Sequence, residues 1–193
     1  MKLSLLSILL GAGMSVPQIY GLARPKDFAA TVRKFPRNYA VGVALMLLAT
    51  GWFVWNVNNE PIADFSAFKP YMMAGFTAVG VASCIFVRDF LAVRGLAVVA
   101  LLLARLMLDT GRAYLPTEIF HAQQGESSWV LVFQAWAYVL IIAGIYFTIA
   151  PWRLRDLLDF ATANETRVRI GSGLRLAFAA FILLLGLTAF RGM

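Results

Sequence analysis

Along this chain apolar residues gather into six long runs separated by short polar stretches. The runs cover about Leu3 to Leu22, Tyr39 to Val57, Pro70 to Val87, Leu91 to Ala113, Trp129 to Ala150 and Gly171 to Phe190. Each approaches the roughly 20 mostly apolar residues that an α-helix needs to cover the hydrocarbon core of a bilayer. In lipid such a segment must be helical, because every unpaired backbone group there costs several kcal/mol. The pattern predicts an all-α, polytopic membrane helix bundle with six transmembrane helices, a single transmembrane domain over residues 1–193. Composition agrees with it. Hydrophobic residues make up 61% of the chain and charged residues only 14%, and the mean hydropathy is +0.75, outside the usual range of soluble domains.

The polar stretches set an orientation. Arg24, Lys26, Arg33, Lys34 and Arg37 follow the first run, Arg88 and Arg94 the third, and Arg153, Arg155, Arg167, Arg169 and Arg175 the fifth, so twelve of the 17 basic residues fall on one side. Acidic residues divide evenly, so the net charge of +7 belongs to that side, which the positive-inside rule makes cytoplasmic with both termini outside. A basic chain also raises nucleic acid as a partner, but that reading needs a clustered patch on a soluble module. Charges at the ends of spans are read instead as a solvated rim against anionic lipid headgroups. The start, "MKLSLLSILLGAGMS", imitates a secretory signal. Cleavage would strand the Arg24–Arg37 cluster outside, so the segment is read as a retained first span.

Two of the loops look alike. "ARPKDFAATVRKFPRN" after the first run and "APWRLRDLLDFATANETRVR" after the fifth both begin at a proline, reach an aspartate (Asp27, Asp156) and return to a basic cluster. In the second, Leu154, Leu157, Leu158 and Ala161 recur at the i, i+3, i+4, i+7 spacing of one apolar helix face, which predicts a short amphipathic helix lying in the interface. "VRDFLAVRG" is a remnant of the same pattern, so the six spans are read as three hairpins of one orientation. The stretch "GIYFTIAPWRLRDLLDFATANETRVRIGSGLRLAFAAFILLLGL", Gly144 to Leu187, resembles a group of small two-helix bacterial inner-membrane proteins of unknown function. That resemblance implies a bacterial inner membrane and brings no activity with it.

Enzyme signatures are missing from the sequence: it has no P-loop, no dinucleotide glycine fingerprint, no HExxH, no CxxC and no nucleophile elbow. "GSG" at Gly171 to Gly173 has no preceding strand and is read as small residues for helix packing. Glu118 and His121 have the Glu-x-x-His spacing of bundle di-metal sites, but such sites use two copies, and the chain has one histidine. A surface histidine is the better reading. The same scarcity argues against haem held by paired histidines. Cys84 stands alone, with no disulfide or thiol-pair chemistry. No catalytic residue, cofactor or metal ligand is assigned.

What remains is chemistry out of place. Arg105, Asp109 and Arg112 lie four and three residues apart in a run that is otherwise apolar, on one helical face where Asp109 can pair with either arginine. Near the bilayer centre each charge costs roughly 2.5–3.5 kcal/mol on insertion scales. A structural ion-pair clasp is the favoured reading, and a polar path or anion site is the alternative. The other spans offer few polar partners, namely Gln18, Asn56, Ser83 and Gln134, which favours the clasp. Ala74, Ala78 and Ala82 recur every four residues beside Gly75, Gly80 and Ser83, a face suited to close helix approach. Trp52, Trp55, Tyr71, Tyr114, Trp129 and Trp152 fit aromatic belts. The sequence therefore points to a non-enzymatic membrane accessory or scaffold subunit, in contact with lipids and other integral membrane subunits and not with nucleic acid. A small transporter or channel using the Arg105, Asp109 and Arg112 face is the alternative.

Overall fold

A computed structural model describes residues 2–60, 66–112, 114 and 128–191. Helices account for 88% of them, and no strand occurs among the described residues. Among the described residues eight α-helices follow one another: α1 (Leu3–Ala23), α2 (Pro25–Lys34), α3 (Tyr39–Asn59), α4 (Lys69–Phe86), α5 (Leu91–Arg112), α6 (Val130–Ile149), α7 (Trp152–Ala161) and α8 (Glu165–Leu187), with short 3-10 turns at Phe35–Arg37 and Ser66–Phe68. Five of them, α1, α3, α5, α6 and α8, are long and apolar enough to cross a membrane, the signature of a multi-pass membrane protein. Many large apolar side chains are exposed on these helices, among them Val16, Trp55, Ile142 and Leu174. In water that surface would be a liability, whereas in lipid it is the solvated face.

The expected third span is α4, and it stands outside those five. It has 18 residues and opens with Lys69, Pro70 and Tyr71, which take apolar length from a helix with none to spare. The sixth run also differs in its bounds. α8 begins at Glu165, six residues before the predicted start, because a helix has no reason to stop where the apolar stretch does. Asn164 is extended ahead of it and Glu165 sits in its first turn, where a carboxylate favours the positive end of the helix dipole. Pro17 lies inside α1, an interruption that membrane helices tolerate.

The contacts divide the chain into two compact units, and the divisions fall within α2, α5, α6 and α7. The first comprises Met1–Arg33, Ala104–Leu140 and Leu157–Met193, and the second Lys34–Leu103 and Ile141–Asp156. In the first unit α1 packs antiparallel on α8. A Cβ placed on Gly11 would lie 2.8 Å from the Ala179 carbonyl oxygen, and one on Gly186 would lie 2.9 Å from Ile8 Cγ1. Small residues thus let the two backbones meet, which is how helices associate where lipid removes the hydrophobic driving force. Edge-to-face aromatic pairs extend the packing, with ring centroids 6.0 Å apart for Trp129 and Phe181 and 5.4 Å for Trp136 and Phe178.

In the second unit α4 runs antiparallel to α3. Phe53 meets Phe76, Thr50 meets Gly80, and the Tyr39 hydroxyl donates to the Cys84 carbonyl oxygen at 2.9 Å. The chain then turns at Phe90, whose φ of 54° is the left-handed region that costs a non-glycine residue about 1–2 kcal/mol. It enters α5 beside the start of α3, with Leu91 and Ala92 against Gly42. Met46, Cys84 and Leu91 form the buried cluster where the three helices meet.

Candidate functional site

On α5 the four-residue spacing does bring Arg105 and Asp109 together. Arg105 Nε lies 3.4 Å from Asp109 Oδ2, and the side chains are 39% and 53% exposed. The pair closes within one helix. Arg112, one turn further, is exposed and makes no ion pair among the described residues. The three charges do not form a single cluster, because helical pitch offers Asp109 to one arginine above and one below and a single carboxylate settles on the nearer geometry. Close by, a Cβ on Gly111 would lie 3.5 Å from the Gln134 side-chain amide of α6.

The alanines of α4 face the other way from its partner. Ala74 and Ala78 are exposed and Ala82 is half-buried, while Gly80 and Cys84 are buried against α3. Two helical faces were thus merged in the sequence reading. Gly80, half a turn away from Ala78, makes the close approach to Thr50, and the Ala74, Ala78 face carries no such contact; a Cβ on neighbouring Gly75 would meet nothing within 4 Å.

The two similar loops each form a ten-residue helix, α2 and α7, and the end of one reaches the end of the other. Arg33, in the last turn of α2, donates from Nε to the Thr162 hydroxyl at 2.8 Å and from Nη2 to the Thr162 carbonyl oxygen at 2.7 Å. Its Nε also lies 3.7 Å from Asp159 Oδ1. Thr162 follows α7, so the guanidinium satisfies a carbonyl at the negative end of that helix. Lys26 pairs with Glu165 at 3.4 Å, tying the start of α2 to the start of α8. Arg167 lies over the Phe160 ring, 4.6 Å from its centroid. Asp27 lies in the first turn of α2. Asp156 is held by its neighbour Arg155, 2.8 Å away.

One basic residue behaves unlike a solvated rim. Arg94 lies in the first turns of α5, and its Nε is buried without a hydrogen-bond partner. The sequence placed it at the membrane edge with the other inner-side arginines. Position in a loop-and-span pattern gives depth along the membrane normal, but not which side of a helix faces its neighbours.

No group of three or more metal-ligating side chains occurs among the described residues, and Glu118 and His121 lie outside them. What the described residues offer chemically is positioning: an intrahelical ion pair, a small-residue face, a clasp between α2 and the end of α7, and a half-buried arginine whose Nε has no partner. No family model, curated protein or solved structure matches the chain.

Proposed function

We propose that the chain is a non-enzymatic accessory or scaffold subunit of a larger assembly in a bacterial inner membrane. The observation that carries this reading is the face of α4 that holds Ala74, Gly75 and Ala78. It is exposed and lies opposite the face that packs on α3, and small residues are what membrane helices use to approach one another. The short loops and basic interfacial helices support the same reading. So does the likeness of the C-terminal hairpin to small bacterial inner-membrane proteins.

The proposed topology has six crossings with both termini outside. The geometry of the second unit supports counting α4 as a crossing, since it returns the chain from the far end of α3 to the level of Gly42. The charge asymmetry then makes the α2 and α7 side cytoplasmic. A transporter or channel is the second reading, favoured by the partial exposure of the Arg105 and Asp109 pair.

Purification from the native membrane in mild detergent, followed by identification of co-purifying subunits, tests the proposal. A stoichiometric integral membrane partner, retained by the wild type and lost from Ala78→Phe, is the expected result. A monodisperse protein that moves a solute across liposomes, and loses that activity on Arg105→Ala, would overturn it in favour of the second reading.

A further inference from the structure

We infer that a pocket in the second unit, among α3, α4, α5 and the last turn of α6, binds an anionic phospholipid of the surrounding bilayer, with one acyl chain along its apolar wall and the phosphate on the Arg94 guanidinium. This does not depend on the scaffold reading. The pocket holds about 350 Å³, within the ~300–1,000 Å³ of ligand sites. Met46, Phe53, Phe76, Val79 and Leu91 supply its wall.

Polar chemistry in it is one-sided. Thr50, Ser83 and Thr148 also line the pocket, but their hydroxyls donate to the carbonyls of Met46, Val79 and Gly144 at 2.8 Å each. Those donors are spent within their own helices. Arg94 is the one charged lining residue, and no carboxylate is among them. Its Nε is buried and unpartnered, and it makes no ion pair among the described residues. A guanidinium partly withdrawn from water and left without an anion is costly, and a phosphate matches its fork of donors.

The apolar wall chooses a lipid over a free anion. Gly95 packs on Leu45 and Met46, which puts Arg94 level with that turn of α3. Phe53 is eight residues further along α3 from Leu45, so the wall continues for about 12 Å beyond the charge at 1.5 Å per residue. An inorganic phosphate would satisfy Arg94 and leave that length empty, whereas a phospholipid fills both. The turn that presents Arg94 is itself held, since the strained Phe90 accepts the amides of Val93 and Arg94 at 3.0 and 3.1 Å. Backbone strain of this kind persists only where the surroundings fix it.

The test uses the full chain in detergent, stripped of lipid. Its thermal unfolding is followed while dioleoyl phosphatidylglycerol, dioleoyl phosphatidylcholine or inorganic phosphate is added. Phosphatidylglycerol should raise the transition saturably, with an apparent affinity about tenfold above phosphatidylcholine, the ratio of one charge-assisted contact. Inorganic phosphate should have no effect. Arg94→Gln should remove the tenfold preference and Arg94→Lys should keep part of it, while Arg88→Gln, at an exposed arginine near Tyr39, should leave it intact. Should Arg94→Gln not fold, Val79→Trp carries the test: Val79 is exposed, and the larger ring should occupy the pocket and weaken the phosphatidylglycerol response. Equal responses to the two lipids, a response to phosphate alone, or a preference that survives both Arg94→Gln and Val79→Trp would each overturn the assignment.

Discussion

Arg33 holds the end of α7 in a fork, Nη2 to the carbonyl oxygen of Thr162 at 2.7 Å and Nε to its hydroxyl at 2.8 Å. A single side chain thus joins the two short helices that the sequence shows as similar loops. Arg33→Ala should lower stability by about 1–2 kcal/mol, below the full value of a charged hydrogen bond because the side chain is partly exposed. Arg33→Lys should recover less than half of that loss, since an ammonium keeps the charge at the helix end but not the fork. Thermal unfolding in detergent measures both. Equal stability of the three proteins would show that the clasp contributes nothing.

On α5 the Arg105 and Asp109 pair should behave as a partly hydrated i, i+4 pair. A double-mutant cycle with Arg105→Gln and Asp109→Asn should give a coupling energy below about 1 kcal/mol. A sealed pair would lose about 3–5 kcal/mol on removal of one partner, so single-mutant losses of that size would place the pair out of reach of water.

The α1–α8 seam separates two glycines of one helix. At Gly11 a methyl group would meet backbone, 2.8 Å from the Ala179 carbonyl oxygen, while at Gly13 it would meet nothing within 4 Å. Gly11→Ala should therefore cost about 1–3 kcal/mol through overpacking. Gly13→Ala should be neutral or stabilise by up to about 1 kcal/mol through helix propensity. Side-by-side unfolding curves decide, and a larger loss at Gly13 would contradict the packing.

The proposed orientation is open to labelling. With Cys84 replaced by alanine, single cysteines at Asn59 and Ser128 should react with an impermeant thiol reagent in intact cells. Those at Thr31 and Asn164 should not. All four native side chains are exposed, so protection would report the membrane and not burial. The reverse pattern would invert the topology.

Helix positions were legible because a span must satisfy its backbone internally, so length and apolarity fix α1, α3, α5 and α6 to within two residues at each end. α8 was misjudged at its start for the same reason: apolarity marks the lipid boundary, and the helix continues past it into "ETRVRI". Pairing of Asp109 was legible from spacing, but the choice of Arg105 over Arg112 was not. The clasp on Thr162 and the buried Nε of Arg94 were not legible at all. Both depend on which helices become neighbours, and a run of apolar residues looks much the same whatever packs against it. The alanine repeat of α4 shows the limit from the other side, since the period of four marked a face without saying that Gly80, on a different face, would make the contact.

The early start of α8 sets the depth at which it can sit. Its 23 residues make one rod of about 34 Å, longer than a hydrocarbon slab of about 30 Å. The surplus lies at the end that carries Glu165, Arg167 and Arg169. Sliding the rod inward along its axis would draw those charges into oil, and it would also tear Arg167 from the ring of Phe160 and Lys26 from Glu165. Sliding it the other way would lift the apolar turn at Ile170 and Leu174, both exposed, into water. α8 is thereby denied piston motion, and the movements left to it are tilt and rotation about its own length.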